Sequence, residues 1–341
     1  MFKYIDCHVH IHQNKGMKAL TTIAEEEIEF GHYSYNVLSL EGVGKGFRDQ
    51  NAICLANKRE HPDTYVFCGL NHAVGDFRKQ AEALWECGCD GFKMIEGKPD
   101  AWNRLKIRLD DASYDGFYSF CCEKNLPILM HIADPKEFWD ITKMKQHEIE
   151  RGWFYNDTFP TKEYLTEQAL SVLEKFPDLK VIFAHFFFHS EYLPKMAEYF
   201  DKYPNMYTDI TPGVEMYPNF SSTQSESIEF FNKYKTRILY GTDTGDFVPG
   251  NGRKYMQSVV TAVRRFLDTD DDMTDWEYIF KGAKLSDEVR ELIYSGNFLR
   301  ITDHREINAE RATEFFRDLI ANPNADLNDA ELENIKTLWN I

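Results

Sequence analysis

No apolar run in this chain is long enough to suggest a membrane span or a secretory leader, and the first residues, Met1-Phe2-Lys3-Tyr4-Ile5-Asp6, already read as the start of a strand. A cytoplasmic location is the expectation. Positive charge is in deficit as well: 39 Lys and Arg stand against 56 Asp and Glu, a formal net charge of −17. General attraction to nucleic acid or anionic membrane is therefore disfavoured, which leaves small molecules as the expected partners. The seven cysteines contain no CxxC pair; Cys87/Cys89 and Cys121/Cys122 are spaced wrongly for a zinc or redox motif and read as mostly reduced thiols. The glycine-rich stretch Glu41-Gly42-Val43-Gly44-Lys45-Gly46 lacks the remainder of a P-loop, so nucleotide-driven phosphoryl transfer is set aside. Solenoid repeats and low-complexity tracts are missing too.

What is present is core material and a regular alternation. Hydrophobic residues make up 43% of the 341 and aromatics 15%, enough for a sizeable core. Eight short apolar runs, near Lys3 to His10, Tyr35 to Leu40, Tyr65 to Leu70, Gly91 to Ile95, Pro127 to His131, Lys180 to His185, Met206 to Ile210 and Arg237 to Asp243, read as strands. Between them, Gln80 to Cys87, Tyr114 to Lys124, Thr166 to Lys175 and Glu191 to Tyr203 have helical spacing. Repeated βα units predict a parallel sheet, either closed as a barrel or open and doubly wound. Longer insertions follow the first and fourth strands and cover Ile132 to about Lys162 and Thr211 to about Ser227. The third, with Trp139, Trp153, Phe154 and Tyr155, reads as a lid or as half-buried surface helices. Beyond Asn297 the chain reads as helical packing material, with a helix start at Asn328-Asp329.

The polar residues at the strand tips favour the closed form. Alternate side chains of a strand point the same way, so His8 and His10 in Asp6-Cys7-His8-Val9-His10 can reach one ion. Asp6, on the same face by that alternation, is expected to orient a ligand histidine, and His12 continues the pattern. Three further apolar strands end in His131, His185 and Asp243. With only 11 histidines in the chain, that repetition points to one shared mouth of a barrel.

With DxHxH at Asp6, His8 and His10, the later tips His131 and His185, and Gly241-Thr242-Asp243, the sequence resembles the amidohydrolase superfamily, in its amidohydrolase-related (amidohydrolase 2) branch of hydrolases, lactonases and decarboxylases. The resemblance runs from Asp6 to about Arg300. It implies a (β/α)8 TIM barrel with loop insertions, spanning 1–341 as one domain with 303–341 a helical extension. It also implies a divalent metal held by His8, His10, His131 and Asp243: Zn2+ first, with Mn2+, Fe2+ or Co2+ as alternatives. His185 either binds a second ion or stands beside a single one and polarises or protonates substrate; the single-ion role is the first reading. Lys93 and Glu96, on the fourth strand, are second-metal or substrate candidates, Glu96 also a loop cap.

The expected reaction is hydrolysis of a small amide, ester or lactone by metal-activated water, with Asp243 as general base and His185 stabilising developing charge. Non-oxidative decarboxylation of a small carboxylic acid by the same ligands is the alternative, and a barrel that binds without turnover is the third reading. Phe186-Phe187-Phe188 reads first as core and second as pocket lining, with His189 beside it. Arg48, Lys98 and Arg104 read as solvated surface charges able to bind a carboxylate. Homodimers are an expectation carried by the resemblance alone.

Overall fold

The structure is a computed structural model that describes residues 2–11, 17–213, 215–245, 252–274 and 279–341. His12 lies outside the described residues. The barrel strands are β1 (Ile5–His10), β2 (Ser34–Leu38), β3 (Tyr65–Cys68), β4 (Gly91–Gly97), β5 (Ile128–Ile132), β6 (Val181–Phe183), β7 (Met206–Asp209), β8 (Ile238–Leu239) and β9 (Thr244–Gly245). All pair in parallel, in the order β8-β7-β6-β5-β4-β3-β2-β1-β9. β8 and β9 are two pieces of the eighth strand: β8 pairs with β7, β9 with β1, and the segment between them closes the ring through Cys7 N to Tyr240 O (3.1 Å) and Asp243 N to His8 O (2.9 Å). The result is a TIM barrel.

Fifteen helices are described: α1 (Met17–Glu29), α2 (Gln50–Glu60), α3 (Phe77–Cys87), α4 (Pro99–Leu105), α5 (Asp115–Glu123), α6 (Gln146–Glu150), α7 (Lys162–Lys175), α8 (Leu193–Lys202), α9 (Met216–Ser222), α10 (Gln224–Lys233), α11 (Gly252–Asp268), α12 (Asp287–Glu291), α13 (Asn297–Ile301), α14 (Ala309–Ala321) and α15 (Asp329–Trp339). The helix start read at Asn328 is the cap of α15, its side chain accepting from Glu331 N while Glu331 reaches back to Asn328 N. Two cores follow from strand alternation. Ile5, Cys7, Leu38, Phe67, Leu129, Ile182 and Leu239 fill the barrel, while Val37, Val66, Met94, Met130, Phe183 and Met206 face the helices.

Two strand readings are corrected. The eighth strand does not run unbroken from Arg237 to Asp243, because Asp243 takes a left-handed backbone (φ 53°) between β8 and β9. The sixth ends at Phe183 rather than His185; His185, Phe186, Phe187 and Phe188 form a left-handed turn with φ of 51–56°. All seven cysteines are free thiols. Among the described residues no helix is long and apolar enough to cross a membrane.

Candidate active site

The β1 register against β2 shifts between Asp6 and Val9, where one extra residue breaks the alternation. Cys7 therefore joins the barrel interior and His8 reaches the mouth beside His10, while Asp6 is turned out among Glu27 and His32. This corrects the expectation for Asp6. Its carboxylate accepts from the backbone of His8 and from Thr242 N and Oγ1, and does not meet an imidazole ring of the mouth. Glycine at 241 is required here, since a Cβ would stand 2.7 Å from Thr211 Cγ2 and 3.1 Å from both Cys7 Sγ and His8 Cβ.

The imidazole of His8 is instead held by Asp209 at the tip of β7, whose Oδ2 accepts from Nδ1 at 2.9 Å. Asp209 Oδ1 accepts from His185 N (2.7 Å) and from Thr211 Oγ1 (2.6 Å), and Thr211 Oγ1 in turn accepts from His185 Nδ1 (2.8 Å). One buried carboxylate thus orients two rings. Burial works against its ionisation, but the His8 hydrogen bond and the nearby imidazole charge win and hold its pKa down to about 2. Asp209 is not among the residues singled out from the sequence, although it carries the same signal as the other tips: a polar residue ending an apolar strand.

His10 Nδ1 donates to Leu38 O at 3.1 Å. With both Nδ1 atoms engaged, the Nε2 lone pairs of His8 and His10 are left to converge on Asp243 Oδ1, at 3.3 and 3.2 Å. Burial lowers the His10 pKa to about 4 and depresses that of His8, so both rings are neutral at pH 7. Burial opposes ionisation of Asp243, yet the surrounding imidazoles hold it well below the usual carboxylate range. Donor atoms of His8, His10 and Asp243 lie within 4.8 Å of one another. Two neutral imidazole nitrogens and a carboxylate oxygen, each ring fixed by a second hydrogen bond, fit zinc, manganese, iron or cobalt.

His185 Nε2 is 3.7 Å from Asp243 Oδ2, and the His185 ring packs 5.1 Å from that of His131. His131 lines the same cleft but is not one of the three grouped donors; its Nε2 pairs with Asp134 Oδ1 at 3.2 Å. Asp134 also binds Lys98 Nζ (2.9 Å) and Tyr155 Oη (2.5 Å). Lys98 is thus part of the cleft wall and not a solvated surface charge, whereas Arg48 holds Asp326 and Arg104 holds the Val43 carbonyl. Phe138 and Trp153 of the long insertion stack at 5.5 Å and line the cleft with Phe188. His189 faces a separate outer groove, between α7 and α8.

On β4, Lys93 is 2% exposed and its Nζ has no hydrogen-bond partner. Burial lowers its pKa to about 8 against the pull of Asp243, Asp209 and Glu96. Glu96 is not gathered with the mouth histidines: its carboxylate lies against Gly42 and 3.5 Å from His72 Nε2.

Solved structures share this fold. An uncharacterised TIM-barrel protein from Bordetella bronchiseptica is 16% identical with a TM-score of 0.54, the match covering 88% of this chain and 98% of that one. A 2,6-dihydroxybenzoate decarboxylase complexed with 2,6-dihydroxybenzoate is 12% identical with a TM-score of 0.57, covering 88% and 99%. A dihydroxybenzoic acid decarboxylase from Polaromonas sp. JS666, with bound manganese and the inhibitor 2-nitroresorcinol, is 15% identical with a TM-score of 0.53, covering 88% and 97%. No curated protein matches the chain. The family model described as Amidohydrolase matches residues 5–301.

Proposed function

Because the chain belongs to the amidohydrolase family, we propose that it is a metal-dependent enzyme that hydrolyses a small amide, ester or lactone at the barrel mouth. The observation that carries this reading is the convergence of the His8 and His10 Nε2 atoms on Asp243, each ring fixed from behind. His8, His10 and Asp243 would hold the ion, with His131 as fourth ligand once its Nε2 leaves Asp134. When bound, a divalent ion lowers the pKa of water and polarises a substrate oxygen.

The chain's own residues supply the rest. Asp243, ionised at neutral pH, accepts the proton of the attacking water on a carboxylate oxygen and returns it to the leaving group. Thr211 fixes the tautomer of His185 with its proton on Nδ1, so Nε2 faces the cleft, 3.7 Å from Asp243 Oδ2, in position to exchange a proton with the substrate. Asp209 keeps His8 and His185 in register through all of this. Lys93, buried without a hydrogen-bond partner, places positive charge behind the mouth and favours a substrate with anionic character.

A second reading, non-oxidative decarboxylation, is favoured by the ring-lined slot of Phe138, Trp153 and Phe188 beside Lys98, a shape that takes a flat carboxylated ring. Two of the fold neighbours are decarboxylases of dihydroxybenzoates.

Elemental analysis with turnover assays tests both. About one ion per chain is expected, lost in His8→Ala and His10→Ala. Asp243→Asn protein that is loaded with metal and still turns over at the wild-type rate removes Asp243 as the base; failure to bind metal after reconstitution removes the whole reading. Carbon dioxide release from an aromatic carboxylate, without incorporation of solvent oxygen into the organic product, selects decarboxylation over hydrolysis.

A further inference from the structure

A second pocket, of ≈160 Å3, lies away from the mouth, between the loops that follow β2 and β3, helix α3 and the C-terminal helix α14. The proposed reaction uses none of its residues. Most of its polar lining is already committed. Asn51 donates to Gly69 O (2.9 Å) and accepts from Gly69 N (2.8 Å). Gln80 accepts from Asn71 N (2.9 Å) and donates to Asn71 O and Gly75 O (2.9 and 2.6 Å). These bonds hold the wall in one arrangement before any ligand arrives, which lowers the ordering cost of binding.

Against that background two groups stand out. Asn71 is 4% exposed; its Oδ1 accepts from Ala73 N, but its Nδ2 has no partner. A buried amide donor left unpaired is costly, and native structures rarely leave one without something to bind it. Glu41, 2% exposed, uses one oxygen to accept from Asn51 N at 3.2 Å. Burial holds its pKa well above the usual carboxylate range, which favours the protonated carboxyl, a group that can both donate and accept. The rest of the wall is apolar Val74, Phe315 and Leu319, with Asp318 and Asn322 on the α14 side, and none of the lining side chains is basic.

Charge and hydrogen-bond demand together select the ligand. An anion meets no compensating cation here. An organic cation meets a second carboxylate only in the exposed Asp318 on α14, where solvent screens the charge, and inside the pocket it would have to ionise Glu41 in a buried place. A neutral head that offers an acceptor to Asn71 and an N–H to Glu41 meets both demands, and the apolar wall requires a compact hydrocarbon body. A cavity of roughly 150 Å3 accommodates a benzene-sized molecule. We infer that this pocket is a binding site for a small neutral carboxamide, its carbonyl accepting from Asn71 Nδ2 and its N–H directed to Glu41. The inference does not depend on the proposed function.

Ligand-observed NMR titration of the full chain tests it with three probes of matched shape: isobutyramide, isobutyrate and isobutylammonium. Isobutyramide should bind saturably and about tenfold or more tighter than either ion. Asn71→Leu, which removes the free donor, should weaken it by about tenfold. Val74→Phe, which fills the pocket from a surface loop, should abolish binding while the thermal melt stays cooperative; Leu319→Phe does the same from α14 and decides the matter if Asn71→Leu does not fold. Equal affinity for the three probes, preference for either ion, or binding unchanged by the filling variants overturns the inference. So does the absence of isobutyramide binding up to its solubility limit.

Discussion

Glu96 sits on β4 at 1% exposure, and burial pushes its pKa up to about 7 despite the backbone N–H groups of Glu96 and Ile95 and the charge of Lys93. The folded protein therefore keeps the Glu96 proton to about pH 7, whereas the unfolded chain releases it near 4.5. Between those values the native state binds more protons than the unfolded one, so this group makes stability fall as pH rises and levels off above pH 7. Glu96→Gln has no such proton to lose. Its unfolding free energy is expected to gain on wild type across that window, by about 3 kcal/mol at most. Denaturant melts of both proteins at pH 5 and pH 8 check this; a constant gap removes the raised Glu96 pKa. The same reasoning separates Asp6 from Asp209. Two buried carboxylates lie near His8, but only the one that accepts a hydrogen bond from an imidazole ring is held ionised, at a pKa of about 2, while burial and Glu27 push Asp6 up to about 7 against the pull of His32.

The left-handed turn His185–Phe188 is an element that intrinsic preference opposes, at about 1–2 kcal/mol per residue. Its side chains offset that cost. Phe186 packs against Phe220 of α9 and Phe230 of α10, Phe187 stacks on Phe183, and burial of each ring contributes about 1.5–3 kcal/mol. Only this turn sends Phe186 and Phe187 to the helices and His185 and Phe188 to the cleft. The long insertion is tied down differently, by the Tyr155 hydroxyl on Asp134 and by Trp139 Nε1 on Pro160 O. Tyr155→Phe removes one hydrogen bond to a charged group, worth about 1.5–3 kcal/mol. Amide exchange within residues 136–160 should then quicken by about tenfold or more while the barrel strands stay protected. Unchanged exchange in that segment would mean that ring packing alone anchors it.

Across the whole molecule, the helices after residue 301 clasp the barrel's outer face. Glu331 Oε1 accepts from Gly46 N and Arg48 N, Asn334 Nδ2 donates to Asp49, and the Trp339 indole donates to Ala52 O under the Arg59 guanidinium. The loop between β2 and α2 thus borrows its capping carboxylate from the far end of the chain. Glu331→Ala leaves two part-buried N–H groups without that acceptor and also breaks the cap of α15. The expected loss is about 3 kcal/mol, or several degrees in the thermal midpoint. A midpoint within one degree of wild type would show that solvent replaces the cap.

Periodicity and strand-tip chemistry determined much of this protein without any coordinates. The eight strand regions, the capped helix at Asn328 and the gathering of His8, His10 and Asp243 at one mouth follow from local spacing, because a parallel strand ending in a polar residue must present it at the same rim. Other features depended on where the chain meets itself. The extra residue in β1 that turns Asp6 outward to Thr242, the left-handed turn under His185 and the hold of Asp209 on His8 are set by partners as far as 236 residues away in sequence. Alternation predicts which face a side chain takes only while the ladder is regular, and a single bulge reverses it. Hydrogen bonds between strand tips likewise exist only once the barrel has closed, so the tertiary structure alone decided which carboxylate steadies the mouth.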